Sequence, residues 1–131
     1  MEREIIFRGK RIDNGEWIEG NLLVMGDDYW IVPNYKNAST RSTIEIIAQT
    51  IVRVEKETVG QYTGKDDCNG KPMFEGDIVK TNLGHIQTIE RSDDYCAFVC
   101  IEKGYDKPCQ VDILDEIIKN RWDDPGLSEV Q

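Results

Sequence analysis

Five side chains in this sequence belong to the kinds that hold metals or act as nucleophiles: Cys68, Cys96, Cys100, Cys109 and the single histidine, His85. A zinc site would draw on Cys96 and Cys100, completed by Cys109, Cys68 or His85, because thiolate and imidazole are favoured zinc donors. Structural zinc usually takes closely spaced ligand pairs, and the chain has no CxxC pair. Cys96 and Cys100 lie an even number of residues apart, so on a strand they would share one face. Two small apolar residues in a core account for them equally well. His85 is the one side chain suited to proton transfer near neutral pH, and beside Gly84 it also reads as an ordinary strand residue. Ser39, Ser42, Ser92 and Ser128 lack the context of a nucleophile elbow. Gly60 to Lys65 has the wrong spacing for a phosphate loop. Asp66, Asp67 and Glu75 could gather around magnesium, or could simply be the solvated charges of turns. The expectation is a protein that is not an enzyme, with no catalytic residue, no metal and no cofactor.

The composition narrows the partners. The chain has 131 residues, with 16 Lys or Arg against 25 Asp or Glu, a net charge of −9. Residues 1–60 carry 8 basic and 10 acidic groups, a net −2, and residues 61–131 carry 8 basic and 15 acidic, a net −7. A nucleic-acid binder needs a dense basic face to neutralise phosphates. The richest cluster, Arg3, Arg8, Lys10 and Arg11, is diluted by Glu2 and Glu4. No apolar run approaches the roughly 20 residues of a membrane span. Met1–Arg11 alternates charge with Ile and Phe and has no signal-peptide core. The expectation is therefore a cytoplasmic protein with reduced thiols and no membrane partner.

The elements that would position these residues are short strands. Apolar residues come in runs of four to seven, many β-branched or aromatic, separated by Gly, Asn and Asp, and helical periodicity is nearly absent. Ile5–Phe7 reads as a first strand and Asp13-Asn14-Gly15 as a tight hairpin turn. Trp17 and Glu19 fall on one strand face, and Gly20 allows a bend before Leu22–Val24. Tyr29–Val32 is a strand stopped by Pro33, Asn34–Ser42 a polar loop, and Ile44–Ile47 and Thr50–Val54 further β-branched runs. Charged Glu55-Lys56-Glu57 marks a seam near residue 60. Beyond it Asn69-Gly70, Glu75-Gly76-Asp77, Asn82-Leu83-Gly84 and Asp93-Asp94 punctuate strands about ten residues apart, the rhythm of an SH3-like small barrel. Val111–Ile118 holds one short helix with Asp112 as its N-cap, and Asn120-Arg121-Trp122 a closing strand. The expected fold is mainly β and antiparallel: an N-terminal β subdomain over 1–60, a small barrel-like subdomain over 61–131, and one short helix near the C-terminus.

Asp-Asp pairs recur at 27–28, 66–67, 93–94 and 123–124, each where a turn is expected. Turn chemistry explains them, since an Asp side chain accepts from the backbone amides that follow it. The sharper reading is an acidic surface made of Asp66, Asp67, Asp93, Asp94, Asp123 and Asp124.

Three blocks of sequence resemble one family. The first is Arg3 to Arg11 with Asn14-Gly15-Glu16-Trp17 and Gly20. The second is Glu57 to Gly64, then Asp67, Asn69-Gly70-Lys71 and Phe74-Glu75-Gly76-Asp77-Ile78-Val79. The third is Asn120 to Leu127. Together they resemble the YopX family of small phage- or prophage-encoded proteins of unknown biochemical function. The departures are Lys56, Lys65 and Cys68, and residues 91–119 match least. The resemblance implies a mainly β fold, a cytoplasmic setting in a bacterial host and self-association, and it brings no catalytic residues. Read physically, the motif residues Gly60, Tyr62, Gly64, Asn69, Gly70, Phe74, Gly76 and Asp77 are first a scaffold. The glycines serve turns, Asp77 caps the turn that Gly76 opens, and Tyr62 and Phe74 are core aromatics on opposite sides of a hairpin. The alternative is a ligand-contacting loop at Gly64–Gly70.

Three functions follow. The leading one is a non-enzymatic binding or self-assembly module that meets copies of itself, or a host or phage protein, through strand edges or an apolar patch. The second is an acidic decoy for a basic, nucleic-acid-binding host protein. The third is a nucleic-acid binder using an SH3-like lobe.

Overall fold

A computed structural model describes residues 5–33, 50–105 and 107–123. The chain forms two compact units, whose sequence boundary falls between Gln61 and Tyr62. The loop expected at Asn34–Ser42, the run Ile44–Ile47 and the chain from Asp124 onward lie outside the described residues.

The N-terminal unit is an antiparallel sheet. Strands β1 (Phe7–Lys10), β2 (Trp17–Met25), β3 (Asp28–Pro33) and β4 (Val52–Val54) follow in order, and the first residues of β5 (Gly60–Asp66) pair with β1. The first strand therefore starts at Phe7, and Ile5 stands exposed ahead of it. The β1–β2 connection is wider than the expected two-residue turn. The Arg11 amide donates to the Glu16 carbonyl at 2.8 Å, and the Gly15 amide to the Arg11 carbonyl at 2.9 Å. Gly15 takes a positive φ of 74° while Asn14 does not, so a type I′ turn, which needs both, cannot form. Gly20 makes no bend: β2 runs through it. A Cβ there would fall on the Val32 carbonyl oxygen, so the glycine serves close strand approach.

Among the described residues Ile31 and Val54 are the buried apolar side chains of this unit, and Gly9 packs against Val54. After β4 the chain returns to the end of β1. Arg11 bridges Val54, and the Glu55 amide donates to the Lys10 carbonyl at 2.8 Å. A 3-10 turn, Lys56–Thr58, follows. Buried Thr58 hooks it in place: its hydroxyl donates to the Glu55 carbonyl at 2.7 Å and accepts from the Lys10 amide at 2.9 Å.

The C-terminal unit holds the rest of β5, β6 (Pro72–Phe74), β7 (Asp77–Lys80), β8 (Ile86–Ser92), β9 (Ala97–Ile101), β10 (Cys109–Gln110) and β11 (Glu116–Asn120). Strands β7 to β11 form an antiparallel sheet in the order β10-β9-β8-β7-β11. Met73, Val79, Ile89, Cys100 and Val111 form its buried core, with Phe98 and Ile117 packed against them. The consecutive hairpins β7–β8–β9 are those the turn spacing predicts.

Two expectations for this half are corrected. The sheet stays open, with β10 and β11 at opposite edges, and no closed barrel occurs among the described residues. The helix expected over Val111–Ile118 is a single turn followed by strand β11. Asp112 does cap: its carboxylate accepts from the Leu114 amide at 2.9 Å, and its carbonyl from the Asp115 amide at 3.0 Å. The turn ends there because Glu116 to Asn120 pairs with β7, where Ile117 sits opposite Val79. Sheet pairing of β-branched residues overrides one capped turn. The closing strand accordingly ends at Asn120, and Arg121 to Asp123 form a turn.

Candidate functional site

The motif residues of the middle segment converge on turns and on the hairpin of β5 and β6. Gly60 is buried opposite Arg8. Tyr62 pairs with Phe74, their rings 5.7 Å apart and tilted by 48°, and the Tyr62 hydroxyl donates to Asp66 at 2.6 Å. Gly64 lies where β5 and β6 lose regular register. Gly76 has φ 94°, and a Cβ there would stand 3.1 Å from Trp122 Nε1. Both reasons favour glycine. Asp77 is buried, and its carboxylate accepts from the Phe74 amide, three residues upstream, at 2.8 Å, across the turn that holds Gly76.

Asp67 organises the next turn. One carboxylate oxygen accepts from the amides of Asn69 at 2.9 Å and Lys71 at 2.8 Å, and the other from Ile117 at 3.1 Å. Asn69 reaches across to Glu116 at 3.2 Å, and Gly70 closes the turn onto the Asp67 carbonyl at 3.0 Å. Burial alone would raise the Asp67 pKa, but the three amides and the charge of Lys71 hold it below the ordinary value. Asp67 is only 5 % exposed, so it cannot belong to an acidic surface. Asp66, Asp93, Asp94 and Asp123 are exposed, and Asp124 lies outside the described residues. Asp66 is held by Tyr62, and in the N-terminal unit Asp28 pairs with Arg53 at 2.7 Å.

The metal-ligand candidates are dispersed. Cys96 is in the β8–β9 turn, exposed, with φ 52°, whereas Cys100 is buried in β9, so the shared strand face does not exist. Cys100 pairs in register with exposed Cys109 of β10. His85 is exposed beside Glu102, with Nδ1 3.2 Å from the carboxylate. Among the described residues no group of three or more His, Cys, Asp or Glu side chains could hold a metal ion. Asp66, Asp67 and Glu75 are therefore not brought together as a metal-holding group, and both Asp67 oxygens accept backbone amides.

A second buried aspartate, Asp115, adjoins this region. Its Oδ2 accepts from the Asp112 amide at 3.2 Å and from the Cys100 thiol at 3.9 Å. Burial pushes its pKa up, and the amide does not compensate. Burial and the nearby Asp115 charge also push the Cys100 thiol up to about 12.

Two surfaces could engage a partner. In the N-terminal unit the consecutive residues Leu23, Val24 and Met25 at the end of β2 are 37 %, 46 % and 54 % exposed, so both strand faces offer apolar side chains. In the C-terminal unit a pocket of about 260 Å³ is lined by Thr63 and Lys65 of β5, Arg91 of β8, Phe98 of β9 and the Gln110–Val111 segment. The sequence reading missed this pocket, whose walls come from four strands with no common spacing. The one sequence signal was Lys65, a cation where an apolar residue commonly follows Thr63-Gly64.

The family model described as YopX protein matches residues 6–127. The crystal structure of protein EF1440 from Enterococcus faecalis superposes with a TM-score of 0.55 at 19 % identity, covering 97 % of this chain and 99 % of that one, a likeness of fold. No curated protein matches the chain.

Proposed function

Because the chain belongs to the YopX family, which lends it no catalytic residues, we propose that it is a non-enzymatic module that works by binding a second copy of itself. The setting proposed with it is the cytoplasm of a bacterium carrying the phage or prophage. The observation that carries this reading is the apolar end of β2. Leu23, Val24 and Met25 are exposed in succession, in a stretch of β2 that pairs with β3 and lies beyond the register with β1, which ends at Gly20. Scattered apolar side chains are normal on a surface, whereas a contiguous group marks a contact site. A twofold contact of like surfaces is self-complementary and closes after two copies. Among the described residues no helix is long and apolar enough to cross a membrane, and the patch is read as a protein contact.

The other readings rest on less. Of the acidic pairs, Asp67 is internal and Asp28 and Asp66 are engaged. The C-terminal sheet is open, without the barrel a nucleic-acid lobe was to use.

Light scattering coupled to size-exclusion chromatography, over a concentration series, is the test. The expected result is a concentration-dependent dimer that Met25→Glu and Val24→Glu weaken by at least about tenfold, since each places a charge in an apolar contact. Added salt should strengthen the dimer by screening repulsion between two copies of net charge −9. A strict monomer at the highest concentration overturns the reading.

A further inference from the structure

Among the described residues the pocket of the C-terminal unit is lined by two cations, Arg91 and Lys65, and by no acidic side chain. Three described arginines have acidic partners. Arg11 pairs with Asp13 at 2.7 Å, Arg53 with Asp28 at 2.7 Å and Arg121 with Glu90 at 3.6 Å. Arg91 and Lys65, which both line the pocket, have no carboxylate within 4.0 Å among the described residues. In a chain with 25 acidic residues and 16 basic ones, the pocket brings two cations without ion pairs to one lining.

Both cations are held by neutral groups. The Arg91 guanidinium lies 5.3 Å over the Phe98 ring, its in-register neighbour on β9. A cation–π contact of this kind holds the guanidinium without using up its N–H donors as an ion pair would. Lys65 Nζ donates to the Val111 carbonyl at 3.0 Å, which uses one of its three protons. Asp115 lies close enough to feel the Lys65 charge without pairing with it. Gln110, also on the wall, adds a neutral hydrogen-bonding group, while Thr63 Oγ1 donates to the Lys65 carbonyl at 3.3 Å and accepts from the Lys65 amide at 3.2 Å, which ties the backbone there. The volume, about 260 Å³, falls below the range typical of sites for drug-sized ligands, so the pocket suits a group of a few heavy atoms.

We infer that this pocket receives a small oxyanion group, phosphate or carboxylate, clamped between Arg91 and Lys65 and bounded by Thr63 and Gln110. The planar guanidinium offers two parallel N–H donors that match such a group, and the ammonium supplies a point charge on the other side. Phe98 and Val111 add apolar lining. This site does not depend on self-association through β2, and each proposal can fail alone.

The test is an amide-resolved NMR titration of the full chain with sodium phosphate, and separately with sodium acetate, against sodium chloride at matched ionic strength. The expected result is saturable shifts at Thr63, Arg91 and Gln110 with phosphate or acetate but not with chloride. The tighter of the two identifies the oxyanion. Arg91→Gln and Lys65→Gln should each weaken binding at least about tenfold, the loss of one charge-assisted contact. Arg91→Lys, which keeps the charge but loses the fork, should fall between Arg91→Gln and the parent. Both side chains are exposed, and unchanged spectra away from the pocket will show that the variants fold. Shifts equal to those with chloride, shifts located elsewhere, or unchanged affinity in Arg91→Gln would each overturn the inference.

Discussion

Two turns of the C-terminal unit, Asp67–Lys71 and Asp112–Asp115, each bury an aspartate, and the two carboxylates behave in opposite ways. Both belong to one arrangement, since the Cys68 amide donates to the Asp115 carbonyl at 2.9 Å. Asp67 accepts three backbone amides on its two oxygens and keeps its charge more readily than a free aspartate. Asp115 accepts one amide and one weak thiol donor on a single oxygen and holds its proton more tightly than a free aspartate. Burial raises both, and the amides decide the sign together with the neighbouring charges, Lys71 beside Asp67 and Asp112 beside Asp115. A buried carboxylate becomes a structural anion when the backbone surrounds it, and a strained one when it does not.

The largest expected effect comes from removing the well-solvated partner. Asp67→Ala leaves the amides of Asn69, Lys71 and Ile117 without their acceptor and should cost about 3 kcal/mol in denaturant unfolding. Asp67→Asn keeps one acceptor oxygen and should cost about half as much. A loss below about 1 kcal/mol in Asp67→Ala would mean that water replaces the carboxylate and that the comparison is empty.

The pH dependence is the next effect in size, and its sign differs between the two residues. The ordinary aspartate value is 3.8, and the Asp67 pKa lies below it in the folded protein. The stabilisation from Asp67 is therefore complete above 3.8 and is lost as pH falls through the lowered folded value. The Asp115 pKa lies above 3.8 in the folded protein. Its unfavourable contribution is absent below 3.8 and grows as pH rises toward the raised value. Unfolding free energy measured against pH should show a limb below 3.8 that Asp67→Asn flattens, and a decline above 3.8 that Asp115→Asn flattens. If both variants flattened the same limb, the opposition between the turns would be wrong.

The smallest effect is a gain. Asp115→Asn can keep an acceptor for the Asp112 amide while removing the buried charge. It should stabilise the protein by about 1 kcal/mol at neutral pH and by nothing at pH 3. Chemical denaturation at the two pH values separates this from a general effect of lowering the net charge.

The same pair of turns shows what could be read from the sequence. The Asp67–Lys71 turn was legible because its chemistry is local: Asp67, Asn69 and Gly70 each carry a short-range preference for that geometry. The third donor to Asp67, the Ile117 amide, lies fifty residues away and left no local trace. For the Asp112–Asp115 turn the cap at Asp112 was legible, but the outcome after it was not. Whether Glu116–Asn120 continues as helix or strand depends on the free edge of β7, which the segment itself cannot reveal. The N-terminal hairpin failed for a related reason: Asn14-Gly15 signals a turn, but not how many residues the turn encloses. The core aromatics Tyr62 and Phe74 were visible as types, and the structure adds that they touch. The cationic pocket was the least legible feature, since an Arg or Lys acquires meaning from the acids that are not near it.

The burial of Cys100 has a kinetic consequence. Its side chain has no solvent exposure, and its thiol is held far toward the protonated form, while Cys68, Cys96 and Cys109 are exposed. An electrophile such as a maleimide will label three thiols of this chain quickly, and the fourth only when the C-terminal core opens. The slow phase of that reaction is a clock for the spontaneous opening of the sheet, read from a cysteine the chain already carries.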